Sequence, residues 1–129
     1  MKDTFHDNKA VQAIAPAVLT ANTNGVSIDL KGFDSALFVI NTGAIDAAGD
    51  FTVKLQESDT GTSGWTDVDA ADLLGSVPAT LAANAAYRIG YIGSKRKRYV
   101  RAVATKAGGT SIAAGVVAIL GHPNIAPVA

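Results

Sequence analysis

The sequence predicts an all-β protein, a single-domain antiparallel β-sandwich or barrel. Short apolar runs, some alternating and some continuous, are separated by clusters of Gly, Asn, Asp and Ser. This pattern is typical of sandwiches and barrels. The 129 residues contain neither a repeat of fixed period nor a linker, so we expect one domain with its own core.

The N-terminal part of the domain predicts two strands around a turn. The apolar run Val11–Leu19 contains Pro16, so this strand lies at a sheet edge or ends at Ala15. Residues Ala21–Gly25 form a turn, because the Asn-Gly pair at its end supplies the positive φ angles that such turns need. Apolar and polar residues alternate in Val26–Lys31, which indicates a half-buried strand.

The middle of the chain predicts a central strand and a hairpin. Residues Ala36–Ile40 are apolar on both faces, which predicts a central strand, and Gly43–Gly49 is a loop. The alternation in Phe51–Ser58 places its apolar side chains on one face. The turn Asp59–Gly64 then leads to the partner strand Trp65–Val68.

A helical turn and a second hairpin are predicted next. Residues Ala70–Leu74 suit a helical turn, and Asp69 suits its N-cap. Two alternating runs, Tyr87–Ile92 and Tyr99–Thr105, are close in sequence and predict a hairpin with Gly93–Arg98 at or near its tip.

The last strand is predicted over Ile112–Leu120, after a turn at Gly108-Gly109. The tail after it contains two prolines and is expected not to continue a sheet interior. We therefore expect an N-terminal arm over residues 1–10, a β domain over residues 11–120 and a C-terminal tail over residues 121–129, with both ends flexible.

The composition excludes several classes of protein. The chain has no cysteine, so it holds neither a disulfide framework nor a thiolate metal site. No apolar run is long enough to cross a bilayer, and the polar start Met1–Lys9 lacks the apolar stretch of a signal peptide. We expect synthesis in a reducing cytoplasm without a signal for export.

The formal net charge is zero, but the charges are unevenly distributed. All 11 acidic residues and four basic ones lie at or before Asp72, and the other seven basic residues follow it. Two explanations stay open. Strands from the two halves pair and neutralise each other, or opposite poles of the domain meet complementary surfaces of neighbouring subunits.

The residue types that carry most enzyme chemistry are scarce. The two histidines, His6 and His122, lie in the terminal segments without a partner at metal-ligand spacing. We interpret the clustered aspartates as turn and helix-cap residues; they are Asp46, Asp50, Asp67, Asp69 and Asp72. No Gly-rich phosphate loop occurs. The sequence therefore predicts no enzyme, no metal and no cofactor.

The strongest local charge is the basic run Lys95–Arg98, followed by Tyr99 and Arg101. It is interpreted as a solvated loop, as a protein contact or as a nucleic-acid contact. The sequence pI of 6.7 and the 6% aromatic content disfavour nucleic acid.

Trp65 also has two interpretations. It packs over its own hairpin, or it stacks on a sugar ring. Packing is favoured because sugar platforms usually need several exposed aromatics.

Several short sequence segments, taken in their order, resemble those of a known family. They are VQAIAP (Val11–Pro16), Asn24-Gly25, Gly32–Ala36, LQESDTGTSGWTDVDAADLLG (Leu55–Gly75), YRIGYIGSKRKRYVRA (Tyr87–Ala102) and AILGHPNIAPV (Ala118–Val128). Over nearly its whole length the chain resembles small proteins encoded near the major capsid gene of tailed phages, prophages and gene-transfer elements.

The resemblance implies a structural virion protein that decorates and cements the head, with a β-sandwich or β-tulip-like barrel fold. Its implied partners are the major capsid protein and further copies of itself, as a homotrimer on the capsid surface; neither membrane nor nucleic acid is expected. The hypothesised contact residues are Met1, Lys2, Phe5, Lys95, Arg96, Lys97, Arg98 and His122. The alternatives are a head–tail connector, tail or head-fibre subunit and, more distantly, a carbohydrate-binding module centred on Trp65.

Overall fold

The computed structural model describes residues 5–75, 80–91 and 97–123. Their elements are β1 (Asn8–Leu19), β2 (Thr23–Asn24), β3 (Ile28–Asp29), β4 (Phe33–Asp46), β5 (Asp50–Ser58), β6 (Thr66–Asp67), a 3₁₀ turn (Ala70–Asp72), β7 (Leu73–Leu74), β8 (Ala86–Tyr91), β9 (Tyr99–Gly108) and β10 (Ser111–Pro123). Within these ranges no helix is long and apolar enough to cross a membrane.

The strands form two antiparallel sheets that pack face to face. Sheet A has the order β1-β10-β4-β8-β7. Sheet B has the order β2-β9-β5-β6, and β3 also pairs with β9. The prediction of an all-β antiparallel sandwich is therefore confirmed, and the described strands do not close into a barrel.

Alternation along the longer strands builds the core. Phe51, Val53 and Leu55 point inward from β5 and are almost fully buried, as predicted. Sheet A supplies the opposite layer from β4, β8 and β10. Its largest buried members are Phe38, Ile40, Ile89, Tyr91, Ile112 and Val116. Aromatic and branched side chains from the two inner faces thus fill one apolar layer.

Several predicted elements are present. The hairpin of β5 and β6 forms, with Gln56 paired to Asp67. Strand β1 is an edge strand that runs through Pro16, with register shifts on either side of Ile14. An edge position tolerates proline because the missing donor faces away from the ladder. Asp69 precedes the 3₁₀ turn but makes no side-chain capping hydrogen bond.

The predicted second hairpin is wrong. Strand β8 pairs with β4 and β7 in sheet A, whereas β9 pairs with β5, β2 and β3 in sheet B. The chain between them therefore crosses from one sheet to the other, and Ile92–Arg96 lies outside the described residues. Strand β9 finds a longer partner in β5, from Asp50 to Ser58, than β8 offers.

Both ends of the domain pair further than the sequence predicts. Asn8 on β1 pairs with Gly121 on β10, and Gly121 in turn pairs with Ser35 on β4. Pairing of β10 with β4 continues to Pro123, opposite Phe33. The sheet therefore includes residues 8–10 and 121–123, which were expected in the arms. Strand β4 likewise extends to Asp46, so the expected loop after it is shorter.

Gly25 is required where the edge of sheet A meets sheet B. Its N–H donates to the carbonyl of Ala102 on β9 at 2.7 Å, and the N–H of Val26 donates to the carbonyl of Ala13 on β1 at 3.0 Å. A Cβ atom at Gly25 would lie 2.6 Å from each of these two oxygens. Because both oxygens belong to backbone already held in sheets, neither can move aside cheaply.

We expect Gly25→Ala to lower the free energy of unfolding by about 2–3 kcal/mol, since the added methyl overpacks a rigid contact. Chemical denaturation followed by Trp65 fluorescence measures the change. Gly108→Ala is the matched control, because nothing lies within 4 Å of a Cβ at Gly108. Equal stabilities of the two variants would contradict the packing account.

Candidate interaction surface

The outer face of sheet B is polar and closed by its own hydrogen bonds. Arg101 donates from Nε and Nη2 to Oε1 of Gln56, at 3.0 and 2.8 Å. The amide nitrogen of Gln56 donates to Asp67 at 3.0 Å, and Lys54 lies 3.1 Å from the same carboxylate. The hydrogen bond from Gln56, with the nearby ammonium of Lys54, lowers the pKa of Asp67.

Trp65 belongs to this row of side chains. The guanidinium of Arg101 lies over its ring, 4.4 Å from the ring centroid, and the ring is only partly exposed. The packing interpretation of Trp65 agrees with this contact, because one face of the ring is already covered. The polar groups beside it are also engaged with one another, so the outer face of sheet B has few unused donors.

The outer face of sheet A has the opposite character. Register and alternation assign to it the following positions of β1, β10, β4 and β8: Ala10, Gln12, Val18, Ala113, Gly115, Val117, Ile119, Leu37, Val39, Asn41, Gly43, Ala86, Arg88 and Gly90. Most are apolar or small. Leu74 of β7 lies over Gly90, and Pro16 of β1 lies over Gly115. No described element outside sheet A covers the other positions.

A broad apolar groove lies on this face. It has a volume of about 770 Å³ and runs across β1, β10, β4 and β8. Val18 and Val117 border it and remain 65% and 41% exposed, while Gly43, Gly115 and Ala86 form its floor. Leu74, 58% exposed, stands at the far edge of the same face. Apolar surface of this extent is characteristic of a protein contact.

One charged residue, Arg88, lies on this apolar face, on β8 next to the edge strand β7. It is opposite Val39 in the register of β8 with β4. With Leu37 and Leu74 it borders a shallow depression of about 260 Å³. Arg88 is exposed, and its guanidinium makes no hydrogen bond or ion pair within residues 5–75, 80–91 and 97–123.

The contact residues predicted from sequence occupy a different place. Phe5, Lys97, Arg98 and His122 all lie at the end of the sandwich where β4 begins and β10 finishes. Phe5 stacks edge-on against His6, and Nδ1 of His122 is 2.8 Å from Oγ of Ser35. Met1, Lys2, Lys95 and Arg96 lie outside the described residues.

Two members of the basic run are paired within the chain. Arg98 donates from Nε and Nη2 to both oxygens of Asp29, at 2.9 and 2.8 Å. This bidentate hydrogen bond lowers the pKa of Asp29 to about 2. Lys97 lies 3.7 Å from Asp59. These contacts join the basic and acidic halves of the sequence, so mutual neutralisation explains part of the uneven charge.

A buried polar contact also joins the two sheets at this end. The hydroxyl of Tyr91 on β8 donates to Oε1 of Glu57 on β5 at 2.7 Å and accepts from the N–H of Lys97 at 3.1 Å. The Tyr91 ring crosses the core from sheet A and is fully buried. Its hydroxyl therefore fixes the start of β9 against both sheets.

The described part of the chain was also compared with what a metal site requires. No set of three or more His, Asp and Glu side chains converges there in a way that would hold a metal ion. His6 and His122 retain the terminal placement predicted from sequence, each beside the neighbour already named. The candidate functional features among the described residues are therefore the outer faces of the two sheets.

Sequence reasoning missed the outer face of sheet A, although its signal was present. Consecutive apolar residues in Ala36–Ile40 and Ile112–Leu120 were attributed to central or buried strands. Both strands are indeed central within sheet A. Only one of their faces is covered, however, and the second apolar set points outward.

Together these features define a β-sandwich domain with one apolar and one polar outer face. No family model and no curated protein matches the chain. Among solved structures, the SPBc2 prophage-derived protein YomS is similar with a TM-score of 0.54 at 12% identity, over 88% of this chain and 92% of that one. This similarity establishes a shared fold.

Two further structures are similar at lower scores. A chain from the disulfide-linked pili of Bacillus endospore appendages has a TM-score of 0.49 at 12% identity, over 91% of both chains. A chain of infectious bursal disease virus, Gx strain, has a TM-score of 0.44 at 13% identity, and this chain spans 32% of its length. These scores carry no functional conclusion.

We expect Tyr91→Phe to lower the free energy of unfolding by about 1–3 kcal/mol, because Glu57 and the Lys97 N–H lose a buried partner. Tyr99→Phe removes a hydroxyl that makes no hydrogen bond within the described chain, and should leave the free energy of unfolding nearly unchanged. Urea denaturation of both variants checks this. A neutral Tyr91→Phe would show that the contact does not stabilise the fold.

The Asp29–Arg98 pair predicts an acid-dependent loss of stability. Because folding lowers the pKa of Asp29 from 3.8 to about 2, its contribution is complete above pH 4 and is lost as the pH falls toward 2. We expect Asp29→Asn to be less stable than the wild type at pH 6, with a gap that closes near pH 2. Denaturation over a pH series measures the gap. Arg98→Met should remove the same pH-dependent part of the free energy of unfolding. A difference between the wild type and Asp29→Asn that stays constant with pH would contradict the assignment.

Proposed function

We propose that this protein is a non-enzymatic structural component of a tailed-phage virion, and specifically a capsid decoration protein that binds the head lattice and stabilises it. One observation carries the proposal. The outer face of sheet A is apolar and is not covered by any described element outside that sheet, whereas the outer face of sheet B is polar and satisfied by its own hydrogen bonds. A domain with two such faces is suited to lie on a large surface with one face in water.

Lattice binding suits a modest contact. A head offers many equivalent sites, so each copy can bind with moderate affinity while the full set reinforces the shell. Two further findings support the same assignment. The fold is shared with a prophage-derived protein, and the sequence segments quoted above resemble those of phage virion proteins. In this proposal the partner is the major capsid protein, and the site of action is the outer surface of the virion.

Two finer features belong to the proposal. Copies assemble as homotrimers, as the resemblance implies, and they are made in the cytoplasm of the bacterial host. Phe5 and His122, at one end of the sandwich, supply additional contacts to capsid or neighbouring subunits, and so do Met1, Lys2 and the basic run Lys95–Arg98. Because Lys97 and Arg98 are already paired with acidic residues, Lys95 and Arg96 are the members of the run assigned to such contacts.

The test is to mix the purified protein with empty expanded capsids of the source element and to determine copy number and position by cryo-electron microscopy. Regular density over the lattice, with hundreds of copies, is the expected result. Density confined to one vertex or to the tail would assign the protein to the connector, tail or fibre class instead. Absence of binding would overturn the proposal.

We expect Val117→Asp to abolish binding to capsids, because a carboxylate would be placed in the centre of the apolar contact. Thr105→Asp adds the same charge on the outer face of sheet B and should bind like the wild type. Co-sedimentation with capsids measures binding, and circular dichroism confirms that both variants fold. Equal binding by the two variants would show that sheet A is not the docking face.

A further inference from the structure

The apolar face of sheet A contains a charge that a partner must accommodate. Between Ser35 and Gly43 on β4, and at the matching positions of β10 and β8, Arg88 is the one described residue with a charge on the outer face. Its neighbours on that face include Leu37, Val39 and Leu74. Docking of a protein that covers these aliphatic side chains would also bring the Arg88 guanidinium into the contact.

An arginine that is buried in this way requires an acceptor. Transfer of an unpaired guanidinium into an apolar contact is strongly unfavourable, whereas a guanidinium paired in two parallel hydrogen bonds with a carboxylate is tolerated. No carboxylate of residues 5–75, 80–91 and 97–123 pairs with Arg88. The acceptor must come from the surface that covers sheet A.

A second copy of this chain does not fit as that surface. In a pair of copies related by a two-fold axis that passes near Arg88, the two Arg88 side chains would lie close together, and like charges in an apolar contact repel. The outer face of sheet B does not fit either. Its one carboxylate near the strand centres, Asp67, is engaged by Gln56 and Lys54.

We infer that sheet A docks on a different protein, and that this partner presents an Asp or Glu carboxylate inside an apolar patch, where it pairs with Arg88. The inference rests on the proposed function, in which the partner is the capsid surface. The apolar side chains then provide most of the contact area, and the Arg88 pair fixes the orientation of each copy on its site.

The experiment measures binding of five proteins to expanded capsids by co-sedimentation over a salt series: the wild type, Arg88→Glu, Arg88→Met, Arg88→Lys and Lys54→Glu. We expect a loss of at least about tenfold for Arg88→Glu and for Arg88→Met, since each leaves the partner carboxylate buried without its cation. Arg88→Lys should recover only part of the affinity, because an ammonium lacks the two-pronged geometry. Lys54→Glu makes the same change of charge on the opposite face and should stay within about twofold of the wild type.

The outcomes separate this inference from the proposed function. Wild-type affinity for Arg88→Glu, in the presence of normal lattice binding, would overturn the Arg88 pair and leave the decoration role standing. Absence of binding by the wild type would overturn both. A further measurement is sedimentation velocity of the protein without capsids. Self-association of the wild type that is lost in Arg88→Glu would show that a second copy covers sheet A, and would overturn the inferred partner.

Discussion

Packing of sheet A against sheet B over one apolar layer governs the rest of the structure, because each sheet has two faces and this packing covers only one of them. Aromatic side chains from both sheets, Phe38 and Tyr91 on one side and Phe51 on the other, fill the space between them. The described chain contributes no third layer. Each outer face must therefore be compatible with water or be covered by another molecule.

The two outer faces meet this requirement differently. On sheet B, Arg101, Gln56 and Asp67 bond to one another, so the surface is stable in water and offers little to a partner. On sheet A, Val117 and Val18 remain exposed around a groove floored by glycine and alanine. In the proposed function, the inner layer supplies the stability of the sandwich, and the outer face of sheet A supplies the contact with a partner.

How much of this fold was predictable depends on the range of the interactions. Phe51–Ser58 was predicted correctly because alternation is local and because its hairpin partner follows after a short turn. The partners of Tyr87–Tyr91 and Tyr99–Gly108 were not, since two neighbouring strands have the same pattern whether they pair together or enter separate sheets. Continuous apolar residues in Ala36–Ile40 indicated a central strand correctly but could not show whether its second face is covered by the same chain.

The candidate contact residues illustrate the same limit for charge. A run such as Lys95–Arg98 is conspicuous in sequence, yet the structure pairs Arg98 with Asp29, 69 residues away along the chain. Arg88 is isolated in sequence and was not singled out, yet it is the cation that lacks a described partner and lies within an apolar surface. The availability of a charge for binding is set by its spatial neighbours, because a paired guanidinium has already used the hydrogen bonds that a partner would need. A run of basic residues in the sequence therefore does not show which cations are available to a partner, because that depends on the neighbours that each one has in the fold.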